Sequence, residues 1–117
     1  MDDGVLSKRS PQEMEKLDRE SVAYDVELKR TGRYVTSEAL QGPESASCVR
    51  VRGGKVSTTD GPFAETKEHL GGFILIEARD LNEALRVAAG IPLAALGATI
   101  EVRPVYGIPL PEGTERP

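Results

Sequence analysis

Tryptophan is absent from this chain of 117 residues, which holds only three tyrosines and two phenylalanines. A core built here rests on Val, Ile, Leu and Ala rather than on aromatic rings. Cysteine occurs once, at Cys48, which excludes an intramolecular disulfide framework and a cysteine-rich metal site. Within Ser47-Cys48-Val49-Arg50-Val51 it reads as a packed strand thiol, since no histidine lies near it in sequence. Histidine also occurs once, at His69, so no spaced histidine pair offers a transition-metal site. No apolar run is long enough to span a bilayer, and the acidic N-terminal stretch lacks the apolar centre of a signal peptide. The expected location is the cytoplasm. Positive charge is short: the net charge is −4 and the pI about 5.1, which argues against direct nucleic-acid binding. Arg50, Arg52 and Lys55 cluster around one turn, where such charges blunt a sheet edge. A glycine-rich nucleotide loop is missing too, because Gly53-Gly54 reads as a hairpin turn and Gly71-Gly72 only precedes a strand. There is no serine nucleophile elbow, and Asp2-Asp3 and Asp60 make no calcium loop. No cofactor and no metal are expected.

The length is that of one domain. Residues 1–9 are polar and carry no strand pattern. Residues 10–106 form the domain, and 107–117, rich in proline and charge, form a flexible tail. Ser10-Pro11-Gln12-Glu13 starts a helix: Ser10 caps, Pro11 suits the first position and Glu13 completes a capping box. Met14, Leu17, Ser21, Tyr24 and Leu28 share one face of it to about Arg30, and Gly32 stops it. Tyr34–Leu40 reads as a strand. Ala46–Arg52 and Lys55–Thr59 read as a hairpin across Gly53-Gly54, its valines on a buried side and its arginines on a wet one. Gly72–Ala78 is a strand whose continuous apolar run suits a central position. Asp80 and Glu83 start a second helix that runs to Gly90, Ile91–Gly97 makes a short helical turn, and Ala98–Val105 is the last strand.

One stretch carries more than a connector needs. Asp60-Gly61-Pro62-Phe63-Ala64-Glu65-Thr66-Lys67-Glu68 joins a rigid turn to an apolar residue and several charges. With Leu70–Glu77, Asp80–Ala84, Ile100–Val105, Ser37–Gln41 and Val49–Lys55, it resembles the YCII-related proteins, in the branch named for the DGPF string. The resemblance runs from Pro11 to Val105. It implies an α+β, ferredoxin-like fold of the dimeric α/β barrel type: an antiparallel sheet with two helices on one face, in a homodimer. One expected element is lacking. Members open on an apolar strand, central in the ferredoxin-like order, and Met1–Leu6 cannot supply it. Its loss would leave ladder groups unpaired on two neighbours. Three explanations stand: a misassigned or truncated start, a strand donated by another chain, or a sheet that closes without it.

Asp60 is the first candidate for chemistry. At a strand end and fixed by Gly61-Pro62, it is either a cleft carboxylate usable as acid or base or a turn clasp bonded to nearby amides. His69 offers the side chain best suited to proton transfer near neutrality, or a loop-packing imidazole. Glu38 shares a strand face with Thr36 and Leu40, as a cleft carboxylate or a solvated acid. Phe63, Thr66 and Lys67 in the string, and Tyr24 on the first helix, are candidate ligand contacts. Each also has a plain structural reading, as anchor, loop pair or core residue.

Two functions follow. One is a cofactor-free enzyme or binder of a small molecule, acting through a cleft carboxylate; relatives on the implied fold handle aromatic or lactone-like compounds. The other is a non-catalytic interaction or transcription-regulatory module, since the resemblance carries an association with extracytoplasmic-function sigma factors. A third reading is a truncated relative that has lost its function.

Overall fold

The computed structural model of the chain describes residues 9–62 and 69–115, and the statements below concern those residues. Helix α1 (Pro11–Arg30) begins as its sequence dictates: the Ser10 hydroxyl accepts the Glu13 amide at 3.1 Å and Pro11 occupies the first turn. It ends in a Schellman motif. Gly32, at φ +77°, gives its amide to Lys29, and the Arg33 amide reaches back to Leu28 at 2.9 Å. Only glycine adopts that left-handed conformation without strain. Leu17 and Leu28 are buried, and Met14, Ser21 and Tyr24 are half-buried on the same stripe.

Strand β1 (Tyr34–Ala39) pairs antiparallel with β4 (Gly72–Ile76), with Glu38 opposite Phe73, Thr36 opposite Leu75 and a bulge between Tyr34 and Thr36. Gly72 allows this approach: a Cβ there would lie 2.6 Å from the Glu38 carbonyl. Between them in sequence, a 3₁₀ turn (Pro43–Ser45) leads into β2 (Ser47–Arg52), which pairs with β3 (Lys55–Asp60). Gly53 and Gly54 both have positive φ, at +57° and +76°, as a two-residue hairpin requires. The two sheets share no strand. Helix α2 (Leu81–Ala89) is capped by Asp80, whose carboxylate accepts the Glu83 amide at 2.8 Å. The short α3 (Pro92–Ala95) packs against α1 and α2. Among the described residues no helix is long and apolar enough to cross a membrane. The architecture is α+β with antiparallel strands and is compatible with the ferredoxin-like fold.

Two expectations are corrected. Residues 98–105 form no strand, although their side chains alternate as one: Ala98, Ile100 and Val102 are half-buried, and Thr99, Glu101 and Arg103 are exposed. Alternation fixes which side chains face inward, but a strand also needs a neighbour for its backbone, and β4 pairs only with β1. Met1–Leu6 lies outside the described residues. The second correction concerns the hairpin. Its valines are the exposed side: Val49, Val51 and Val56 keep 64%, 63% and 68% of their surface open, whereas Cys48 and Arg50 are half-buried. The hairpin is not hydrogen-bonded into the β1–β4 sheet, so the face meant for a core meets solvent.

Among the described residues the buried apolar ones are Leu17, Leu28 and Val87. The Tyr24 hydroxyl ties the helices by donating to the Val87 carbonyl at 2.6 Å.

Candidate functional site

The β1–β4 sheet has two unlike faces. On one, Ser37 donates to the Asp25 carboxylate of α1 at 2.9 Å and shares a hydrogen bond of 2.8 Å with the Tyr34 hydroxyl. This polar network fixes which side of β1 meets the helix. Thr36, Glu38 and Leu40 therefore occupy the opposite face by strand alternation. Phe73 and Leu75 join them from β4, directly across from Glu38 and Thr36. Phe73 and Leu40 are each half-open, at 50% exposure. Among the described residues the Glu38 carboxylate has no hydrogen-bond or ion-pair partner. The face is thus an apolar platform with one unpaired acid beside a phenyl ring.

Asp60 lies elsewhere, exposed at the end of β3 and opposite Ser47. The turn after it is held by other groups. The Gly61 amide donates to Ala46 at 2.7 Å, and the Cys48 thiol donates to the Gly61 carbonyl at 3.2 Å. Gly61 sits at φ +98°, a glycine conformation. Cys48 is a packed strand thiol with a turn-holding bond. Glu38 and Asp60 stand on different sheets, so the structure does not place them in one acid pair. His69 is half-buried just ahead of β4. Phe63, Thr66 and Lys67 lie outside the described residues.

Tyr24 lines a cleft of about 200 Å³ between α1 and α2, with Leu28, Thr31, Arg33, Glu83 and Val87. Its proton is committed to Val87, and burial pushes the phenol up from its ordinary value, opposed by the charge of Arg33. A side chain at Gly90 would strike the Tyr24 ring, so that glycine is needed for the contact. Glu83 is the buried charge of the cleft. It receives the Arg79 guanidinium at 2.8 Å and that of Arg33 at 3.4 Å. Burial pushes its carboxyl up, but the Arg79 amide and the two guanidiniums outweigh this and hold it below its ordinary value. These charges are matched within the protein, and the cleft reads as a helix–helix joint. Sequence reasoning took Glu83 for a capping residue and gave no role to Arg33, Asp25 or Tyr34. Arg33 and Asp25 meet partners 50 and 12 residues away, and no spacing signals those pairs. Among the described residues, no three His, Cys, Asp or Glu side chains stand together to hold a metal.

Comparison with known proteins adds two findings. The pattern of the YCII-related domain matches residues 2–108. An uncharacterised protein of Rhizobium meliloti (strain 1021) is 35% identical over 105 residues, covering 89% of this chain and 85% of the relative.

Proposed function

The chain belongs to the YCII-related family, and from that premise we propose that it binds a small molecule without a cofactor, on the open face of the β1–β4 sheet, with Glu38 as the working carboxylate. The observation that carries the proposal is an acid without a partner among the described residues, directly opposite Phe73 on a face where Phe73 and Leu40 are half-exposed. A ring stacked on Phe73 and Leu40 brings a hydroxyl or an acidic C–H to Glu38. Covering the face removes water and strengthens that hydrogen bond. A single base so placed suffices for an isomerisation or elimination. The ligand class is a small aromatic or lactone-like compound with a donor, as the family resemblance suggests. Phe63, Thr66 and Lys67 stay in the proposal as ligand contacts, and Asp60 and His69 as further proton-transfer groups, on the DGPF string alone. That string also supports placement in the DGPF branch. A homodimer in the cytoplasm completes the reading.

The test is thermal unfolding against a panel of phenols, aromatic acids and lactones. A ligand at 100 times its Kd stabilises the native state by about 2.7 kcal/mol. The expected result is a shift in the wild type that Glu38→Gln abolishes and Asp60→Ala retains. If no compound shifts the melt, or if Glu38→Gln responds as the wild type does, the reading is wrong.

One observation favours a second reading, the interaction module. Val49, Val51 and Val56 form an apolar stripe on the open side of the hairpin, and apolar surface rimmed by charge suits a protein partner. The family resemblance makes an extracytoplasmic-function sigma factor the partner to try. Calorimetric titration with such a factor, purified, should show binding that Val51→Lys removes. Binding indifferent to that change, or none, would sink this reading.

A further inference from the structure

Glu83 is matched in the joint between α1 and α2, but the guanidiniums around it are not. The cleft there has four charged residues in its lining: Glu27, Arg33, Glu83 and Arg86. Both acids are held by arginines that stand outside that lining. Arg30 reaches Glu27 through Nε at 2.9 Å, and Arg79 reaches Glu83 at 2.8 Å. Arg33 meets Glu83 through Nε at 3.4 Å. A strong arginine–carboxylate pair stands at about 2.7–2.9 Å and uses two nitrogens of the fork. Among the described residues the cleft therefore keeps two positive charges, at Arg33 and Arg86, beyond those that its acids use.

We propose that this cleft binds a small organic carboxylate, with its oxygens on the guanidiniums of Arg33 and Arg86 and its apolar body against Leu28 and Val87. Charge, walls and size set the ligand class. Helix α1 ends beside the cleft, and Arg86 and Val87 lie in the last turn of α2. Each helix C-terminus carries roughly half a negative charge, so the two offset about one of the two surplus positive charges. The balance left suits a monoanion, a carboxylate rather than a phosphate dianion. Leu28 and Val87 are buried apolar residues, and the Tyr24 hydroxyl is already given to the Val87 carbonyl. The floor of the cleft thus favours an apolar body over a polar one. The cleft measures about 200 Å³, below the roughly 300–1,000 Å³ of sites for drug-sized ligands. It holds a carboxylate of a few heavy atoms.

Arginines near helix C-termini are also an ordinary stabilising device, because they can bond the last carbonyls. Here those carbonyls have other donors. The Leu28 carbonyl accepts the Arg33 amide at 2.9 Å and the Thr31 hydroxyl at 3.1 Å. The Val87 carbonyl accepts the Tyr24 hydroxyl and the Gly90 amide. Neither helix end calls for a guanidinium hydrogen bond, and the planar forks are left for an oxyanion, whose geometry they match. The site lies apart from the β1–β4 face and stands without the reading of Glu38.

The test is an NMR titration of the whole chain with butyrate near neutral pH and at constant ionic strength, with butyramide as the uncharged counterpart. Butyrate should shift the amides of residues 27–33 and 83–87 to saturation, and butyramide should not. Arg86 is exposed, so Arg86→Gln leaves the packing of α2 intact. That variant should weaken butyrate binding at least about tenfold, whereas Glu38→Gln should bind butyrate as the wild type does. Shifts that never saturate overturn the proposal. So does an equal response to butyramide, or an Arg86→Gln protein with unchanged affinity. Shifts centred on residues 36–40 and 72–76 and lost in Glu38→Gln would also overturn it, while supporting the sheet-face reading.

Discussion

Glu83 joins three parts of the chain. It reaches Arg33 at the start of β1 and Arg79 ahead of α2, while its own amide is held by Asp80. The folded chain keeps its carboxyl more acidic than the unfolded chain does. The stabilisation is therefore complete above the ordinary value of 4.5 and fades as the pH falls through the lower folded value. Thermal melts of the wild type and Glu83→Gln should differ most near neutral pH and converge as the pH falls below the folded value. Parallel curves would mean that the two arginines add nothing. Half of this arrangement was legible in the sequence: Asp80 and Glu83 at capping-box spacing announce the helix start. The other half was not. Arg33 lies 50 residues from Glu83, and only tertiary folding brings the guanidinium to it. Glu38 behaves likewise: alternation along β1 gave its face, but Phe73 across the ladder is a fact of register.

At the scale of elements, α1 was readable almost to the residue. Cap, stripe and stop are all local chemistry, and Leu17 and Leu28 are buried where the stripe puts them. Replacing a buried leucine by alanine removes its transfer energy and leaves a cavity, at a cost of about 2–5 kcal/mol. Leu28→Ala is expected to fall in the lower half of that range, because Leu28 lines the cleft between α1 and α2 and its loss encloses little new cavity. Denaturant unfolding measures it, and a loss under about 1 kcal/mol would show that α1 is not what the fold rests on. The strands were readable as segments but not as a sheet. The period of two is the same in β2 and in 98–103, yet only β2 has a partner at the distance a two-glycine turn imposes. The hairpin's orientation was misread for a related reason: alternation says that the valines share a side but not what lies on that side.

For the molecule as a whole, the proposed homodimer ties stability to concentration. Three buried apolar residues among those described make a thin core, and a homodimer, as proposed, would be stabilised by mass action. The melting midpoint should therefore rise with protein concentration. A hundredfold increase that leaves it unmoved would assign the whole stability to the monomer. Composition already pointed this way through the scarcity of aromatic side chains, but the extent of open surface follows from how the sheets are placed, which composition does not contain.

The separateness of those sheets has a kinetic consequence. The β2–β3 hairpin closes on itself within the excursion that joins β1 to β4, and no ladder bond connects the two. Hairpins form in about 1–10 µs, so this one can nucleate before the longer loop between β1 and β4 closes. It can also open without breaking any bond of that pair. The hairpin and the β1–β4 pair are then expected to exchange their amides separately. Opening of the hairpin breaks the Cys48–Gly61 bond and frees the start of the DGPF string.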